Sequence, residues 1–193
     1  NTFFSSTMIR NFVPHISLLI LLFLFFTNQS AQANWKPAEE GNKIILIRHS
    51  IAPGGGDPSG FKLKDCKTQR NLSQEGIDQS KNIGKLFKEK KIKIHQVLSS
   101  QWCRCKDTAK YAFGKYQEFS ALNSTFQSPY DKNSKSQLKE LKNYIENWEG
   151  GGGNLILITH YVIITGLTNV APSSGEIVII DKSLNVLSTI LTR

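Results

Sequence analysis

Cysteine is scarce in this chain, at three among 193 residues. That excludes a miniprotein held by a disulfide framework. The core must come from apolar packing, and 39% hydrophobic content is ordinary for a globular protein. Acidic residues are also short, 15 against 24 lysines and arginines, leaving a formal charge of +9. This balance favours anionic partners: phosphorylated metabolites, nucleic acid or acidic lipid surfaces. No internal repeat is present, and no low-complexity tract occurs outside the first 33 residues. The length suits one domain with a sizeable core and is too short for two.

The first 33 residues read as a targeting segment. Met8-Ile9-Arg10-Asn11 is a short basic start, Ile16 to Phe26 is apolar apart from Ser17, and Ala31-Gln32-Ala33 is an A-x-A site. Together these are the parts of a secretory signal peptide. The apolar run falls short of the roughly 20 residues that a membrane span needs, which sets the alternative, an uncleaved anchor, second. Translation is expected to start at Met8 and cleavage to follow Ala33. Residues 34–193 then form the exported domain, periplasmic or secreted, which touches a membrane only through the transient leader. In such a compartment disulfides form.

Within the domain, Lys43-Ile44-Ile45-Leu46-Ile47-Arg48-His49-Ser50 stands out. Four branched apolar residues in a row predict a strand buried on both faces, as in a parallel sheet. Ligands of open α/β sheets bind beyond the carboxyl ends of the strands, which is where Arg48 and His49 fall. Residues 35–42 read as a polar lead-in. The run Gly54-Gly55-Gly56-Asp57-Pro58-Ser59-Gly60 is followed by Phe61-Lys62, not by Lys-Ser or Lys-Thr, so it is not a nucleotide P-loop. It is either a surface turn or a place where backbone N–H groups approach an anion.

After a polar connector over residues 65–71, Ser73 is the expected N-cap of a helix with Ile77, Ile83, Leu86 and Phe87 as its buried stripe. Lys81, Lys85, Lys88, Lys90 and Lys91 face outward. No aromatic residues interleave with them as a single-strand nucleic-acid surface requires, so no nucleic-acid partner is expected. Ile94 to Leu98 predicts a second strand, handing over to a helix with Arg104 near its first turn. A cation there either adds to a phosphate site at the helix N-terminus or pairs with a nearby carboxylate. Residues 111–132 are hard to read. A helix follows over residues 136–148, with Leu138, Leu141, Ile145 and Trp148 on one face. Asn154 to Thr159 is another buried strand, and it too ends in a histidine, His160. A short helix over residues 161–168 and two strands, 176–180 and 186–191, complete the chain.

Four pieces together resemble the histidine phosphatase superfamily, the phosphoglycerate-mutase-like fold. Ile47-Arg48-His49-Ser50 is similar to its Arg-His-Gly strand end, with Ser50 for the usual glycine, and Asn71-Leu72-Ser73-Gln74-Glu75-Gly76 to its Leu-Thr-x-x-Gly helix start. Ser99-Ser100 through Arg104 to Thr108-Ala109 follows its Ser-Ser-x-x-x-Arg-x-x-x-Thr-Ala segment, and Thr159-His160 carries its second histidine. The pieces occur in the family's order over nearly the whole exported domain. The resemblance implies an α/β protein, a three-layer α/β/α sandwich around a mostly parallel central sheet. It implies a phosphatase in which His49 attacks phosphorus and is transiently phosphorylated, while Arg48, Arg104 and His160 bind and stabilise the phosphoryl group. It implies no metal and no cofactor. Three cysteines also lack the ligand spacing of a zinc site. The partner would be a phosphorylated small molecule or a phosphoprotein.

One departure concerns the acid that protonates the leaving alcohol. Many members carry a glutamate after a Leu-Asn pair, where this chain has Leu122-Asn123-Ser124. Glu176, Asp57 and Asp131 remain as candidate donors. Family members acting on phosphohistidine manage without the acid, so a phosphoprotein substrate stays open, as does a weakly catalytic phosphate-binding or signalling module of the same fold. Cys103 and Cys105 are two apart on a helix start and point in different directions, so at most one pairs with Cys66. Either disulfide, Cys66 with Cys103 or Cys66 with Cys105, would pin the loop after His49 to the Arg104 helix.

Overall fold

The computed structural model describes residues 33–192. The leader expected over residues 1–33 falls, apart from Ala33, outside them. The branched run forms β1 (Ile44–Arg48), whose four apolar residues are fully buried. Successive side chains of a strand point to opposite faces. Ile45 and Ile47 therefore pack into one core and Ile44 and Leu46 into the other. β4 (Asn154–Thr159) pairs in parallel with β1, placing Arg48 opposite Thr159. β2 (Ile94–Ser99) lies parallel on the far side of β4, and the two-residue β3 (Gln117–Glu118) extends it. On the other flank β5 (Ile177–Ile180) and β6 (Val186–Ile190) add antiparallel strands. The order is β3-β2-β4-β1-β5-β6, mostly parallel at its centre.

Helices cover both faces, as a sheet buried on both sides requires. One core joins α1 (Lys36–Glu40), α2 (Gln74–Glu89) and α3 (Cys103–Phe113) to the sheet. The other joins α4 (Ser134–Asn147) and α5 (Tyr161–Thr168). This is the three-layer α/β/α sandwich expected. The expected lead-in over residues 35–42 contains a helix instead. Pro37 sits in its first turn, where a missing N–H goes unnoticed, and Trp35 is buried with its ring edge-on to Phe87 at 5.4 Å. The stripe of α2 also differs: Ile77 and Leu86 are half-buried, while Gly76, Gln79, Ser80 and Gly84 are buried beside Ile83 and Phe87. A Cβ at Gly76 would run into the Ile51 carbonyl, and one at Gly84 into the Ala112 carbonyl. The helix thus lies against backbone, a closeness that apolar periodicity does not register. The opaque stretch 111–132 resolves into the end of α3, the short β3 and two 3-10 turns.

Candidate active site

The carboxyl ends of β1 and β4 meet at two histidines. The His49 backbone N–H donates to the Thr159 carbonyl at 3.0 Å, and the His49 and His160 rings lie 5.5 Å apart. Both are buried, 2% and 3% exposed. His49 Nδ1 is 2.9 Å from the Ser50 carbonyl oxygen. A carbonyl only accepts, so Nδ1 carries the proton and Nε2 keeps its lone pair. Burial, then Arg104, push the His49 pKa well below its usual value, so the ring is neutral in ordinary buffers. Ser50, in place of glycine, fits because its hydroxyl shares a hydrogen bond with the Ser80 hydroxyl at 2.8 Å. Its N–H donates to Thr108 Oγ1 at 3.0 Å, and Thr108 donates on to the Arg104 carbonyl at 2.7 Å. The Arg104 helix is thereby fastened to the residue after His49.

Arg48, Arg104 and His160 all reach the same cleft, of about 180 Å³, which His49 also lines. Arg48 donates one terminal nitrogen to the Pro172 carbonyl at 2.9 Å and lies over the Tyr161 ring. Arg104 donates Nη1 to Asp57 Oδ1 at 2.8 Å, and its Nη2 lies 3.5 Å from His160 Nδ1. The Nε atoms of both arginines are buried without a hydrogen-bond partner. His160 Nε2 sits 2.9 Å from Ser100 Oγ. Burial, then Arg104 and the neighbouring His49, push the His160 pKa well below its usual value.

The three candidate acids separate. Asp57 lines the cleft, but its side chain is 2% exposed and both oxygens are taken. Oδ1 accepts from Arg104 and from the Arg70 N–H at 3.0 Å, and Oδ2 from Trp102 Nε1 at 2.9 Å. Burial alone would raise its pKa, yet the hydrogen bond and charge of Arg104 outweigh it and hold the carboxyl below the usual range. Asp57 is therefore an ionised partner of Arg104 and unsuited to give up a proton. Arg104 thus pairs with a carboxylate, as one of its two expected roles had it, and also lines the cleft. Glu176 turns away: its carboxylate accepts from the Ser173 N–H at 2.7 Å, in the turn before β5, and it does not line the cleft. Asp131 is exposed in a 3-10 turn and does not line it either. Ser124, at the position of the family's glutamate, does line it.

The connector over residues 65–71 holds a site residue that sequence reasoning passed over. Arg70 lines the cleft and donates Nε to the Gly56 carbonyl at 2.8 Å and Nη1 to the Ala52 carbonyl. Its only sequence signal is a basic residue just ahead of the Leu72-Ser73 helix start. The same connector carries the disulfide, Cys66 with Cys103, with Cα atoms 5.6 Å apart. Cys105 is free and buried, with its thiol toward the Thr159 carbonyl. Gln69 adds a polar fastener: its amide donates to the Lys62 and Leu63 carbonyls and accepts from the Cys103 N–H at 3.0 Å.

The backbone arrangement has counterparts among solved structures. The chain resembles the protein histidine phosphatase SixA complexed with tungstate at 17% identity, over 78% of this chain and 97% of that one, with a TM-score of 0.54. This chain has the histidine phosphatase fold. A phosphoglycerate mutase from Thermus thermophilus shares the fold at 14% identity, covering 77% of this chain and 98% of that one, with a TM-score of 0.54. So does a putative phosphohistidine phosphatase SixA from Agrobacterium tumefaciens, at 14% identity, 78% and 98% coverage and a TM-score of 0.52. No protein-family model matches the chain, and no curated protein matches it by sequence.

Proposed function

We propose that this chain is a histidine-type phosphatase, hydrolysing phosphate monoesters or phosphohistidine through a phosphohistidine intermediate on His49. The observation that carries this reading is a buried, neutral imidazole whose Nε2 lone pair is free, set among Arg48, Arg70, Arg104 and His160. A phosphate monoester is dianionic near neutrality, and guanidinium groups hold a fixed charge at any working pH. Arg48 and Arg104, which line the cleft, offer guanidinium donors to its oxygens. His49 Nε2 attacks phosphorus, the phosphoryl group passes to the ring, and water then releases it as phosphate. During transfer the arginines offset the charge on the equatorial oxygens.

The similarity to SixA structures supports a phosphorylated protein as one substrate class, with phosphorylated small molecules as the other. The leader and the Cys66–Cys103 bond support export to the periplasm or beyond, with the mature chain starting at Asn34. N-terminal sequencing of the exported protein checks that start. Phosphate release from p-nitrophenyl phosphate over pH 4–8, wild type beside His49→Ala, tests the activity. The wild type is expected to turn over and to yield an acid-labile, alkali-stable phosphoryl group on His49 after quenching. No release at any pH, with His49→Ala indistinguishable, overturns the enzyme reading in favour of a phosphate-binding module.

A further inference from the structure

With Asp57 locked in an ion pair and Glu176 and Asp131 outside the cleft, no carboxylic acid among the described residues stands ready to protonate a leaving group. We propose that His160 is the proton donor: its Nδ1 captures a proton when a phosphoryl dianion binds and passes it to the leaving oxygen. This rests on the phosphatase reading of the same site.

The hydrogen-bond polarity around His160 sets the starting state. Ser100 Oγ lies 2.9 Å from His160 Nε2 and 3.2 Å from Asn123 Oδ1. Asn123 Oδ1 is an acceptor, also taking the Gln101 N–H at 2.8 Å. The Ser100 proton therefore points to Asn123, and Nε2–H donates to Ser100 Oγ, which also receives the Trp102 N–H. The reverse polarity would set two acceptors, Ser100 Oγ and Asn123 Oδ1, against each other. The neutral ring thus keeps its lone pair on Nδ1, the nitrogen beside Arg104 in the cleft. An unprotonated Nδ1 facing a phosphoryl oxygen would repel it, whereas a protonated one donates to it.

The charges around the ring explain why the proton arrives with the ligand. Burial, then Arg104 on α3, keep the free ring neutral, with Arg70 from the connector and Arg48 from the end of β1 adding to this; the neutral His49 ring faces it as well. Asp57 is already paired with Arg104. The Cys105 thiol, 3.4 Å from Nε2, keeps its proton because burial raises its pKa to about 12. A bound dianion reverses the field at Nδ1 and draws a proton from solvent. The step then balances. The His49 Nε2 lone pair forms the P–N bond. The ester P–O bond breaks with its electrons on oxygen, and that oxygen takes the Nδ1 proton. In the second half Nδ1 accepts a proton from the attacking water, and the P–N bond returns its electrons to His49 Nε2. Phosphate then departs.

Tungstate, which does not titrate near neutrality, is the probe. Calorimetric titration at pH 7.5 in two buffers of different ionisation enthalpy counts protons taken up. We expect about one proton per tungstate for the wild type, about one for His49→Asn, and almost none for His160→Asn. Nitrogen-15 histidine spectra of the wild type read the same event without a variant, as Nδ1 of His160 becoming protonated when tungstate is added. In kinetics, His160→Asn should lose about 10²–10⁴-fold on an alkyl phosphate and far less on p-nitrophenyl phosphate, whose leaving group needs no proton. Turnover without proton uptake, uptake that survives His160→Asn, or equal losses on both esters overturns the assignment. Proton uptake with no turnover of either ester defeats the phosphatase reading instead, and the delivery step with it.

Discussion

The two halves of the cleft are built differently. One half stands on strand ends: Arg48 and His49 leave β1, His160 leaves β4, and the backbone pairing of those strands sets their spacing. The other half is loop, residues 51–70, which brings Asp57 and Arg70 to the wall with little regular structure of its own. It is held by specific fasteners: the Asp57 ion pair with Arg104, Gln69 on the Cys103 N–H, Arg70 on the Gly56 and Ala52 carbonyls, and the Cys66–Cys103 bond. His49 and His160 thus ride on the part the sheet makes rigid, and the loop wall of the cleft depends on a few polar and covalent ties.

The sharpest way to break this contrast is at its rigid half. His49→Ala should abolish turnover, a loss beyond the roughly 10²–10³-fold expected for one stabilising donor, while leaving the thermal melt near that of the wild type. Arg104→Ala touches both halves, since it removes a donor and strands Asp57 in the interior. Next in size, Asp57→Ala should cost about 3–5 kcal/mol in denaturant unfolding, because an unpaired Arg104 is left buried. A loss under about 1 kcal/mol would place the tie among ordinary surface pairs and undo the contrast. Removing the disulfide with Cys66→Ser and Cys103→Ser is expected to cost about 2–4 kcal/mol. Hydrogen exchange should then speed up across residues 54–70 and stay unchanged in β1 and β4. Equal loosening of both regions would show that the loop is not a separately fastened unit.

The smallest effect is a pH dependence. Folding holds His49 and His160 neutral, with pKa values well below 6.5, whereas in the unfolded chain they titrate near their ordinary value. Below about pH 6.5 the unfolded state binds more protons, so stability is full above that pH and declines as pH falls. Asp57, also depressed, adds a further loss as pH drops below the ordinary carboxylate range. Denaturant melts from pH 8 to pH 4 check the slope. A stability that rises on acidification would contradict the neutral-histidine assignment.

Local pattern made much of this protein legible. The branched runs ending at Arg48-His49 and at Thr159-His160 announced parallel strands, and their ends, with Arg104 from the strand-to-helix passage after Ser99, line one cleft. Those inferences rest on rules that act over a few residues: side-chain alternation, burial on both faces and the location of ligands at carboxyl ends. The helix at Lys36–Glu40 and the glycine-lined packing of α2 escaped, because their causes lie far along the chain: the Phe87 ring against Trp35 in the first, the backbone of Ile51 and Ala112 in the second.

Tertiary closure decided the rest. Asp57 and Arg104 are 47 positions apart, and nothing in their neighbours says that one will neutralise the other. Arg70 enters the cleft because its guanidinium ties the glycine loop, a contact across 14 positions. The choice of Cys103 over Cys105 followed from which face of α3 meets the connector and which meets β4. The tautomers of both histidines, on which the proposed nucleophile and donor depend, were set by a carbonyl at Ser50 and a hydroxyl at Ser100. By itself the sequence determined which strands are buried and where Arg48, His49 and His160 leave them, because burial and alternation are local. Only the folded chain decided which charges pair and where protons sit, because both depend on groups brought within about 3 Å from far along the chain.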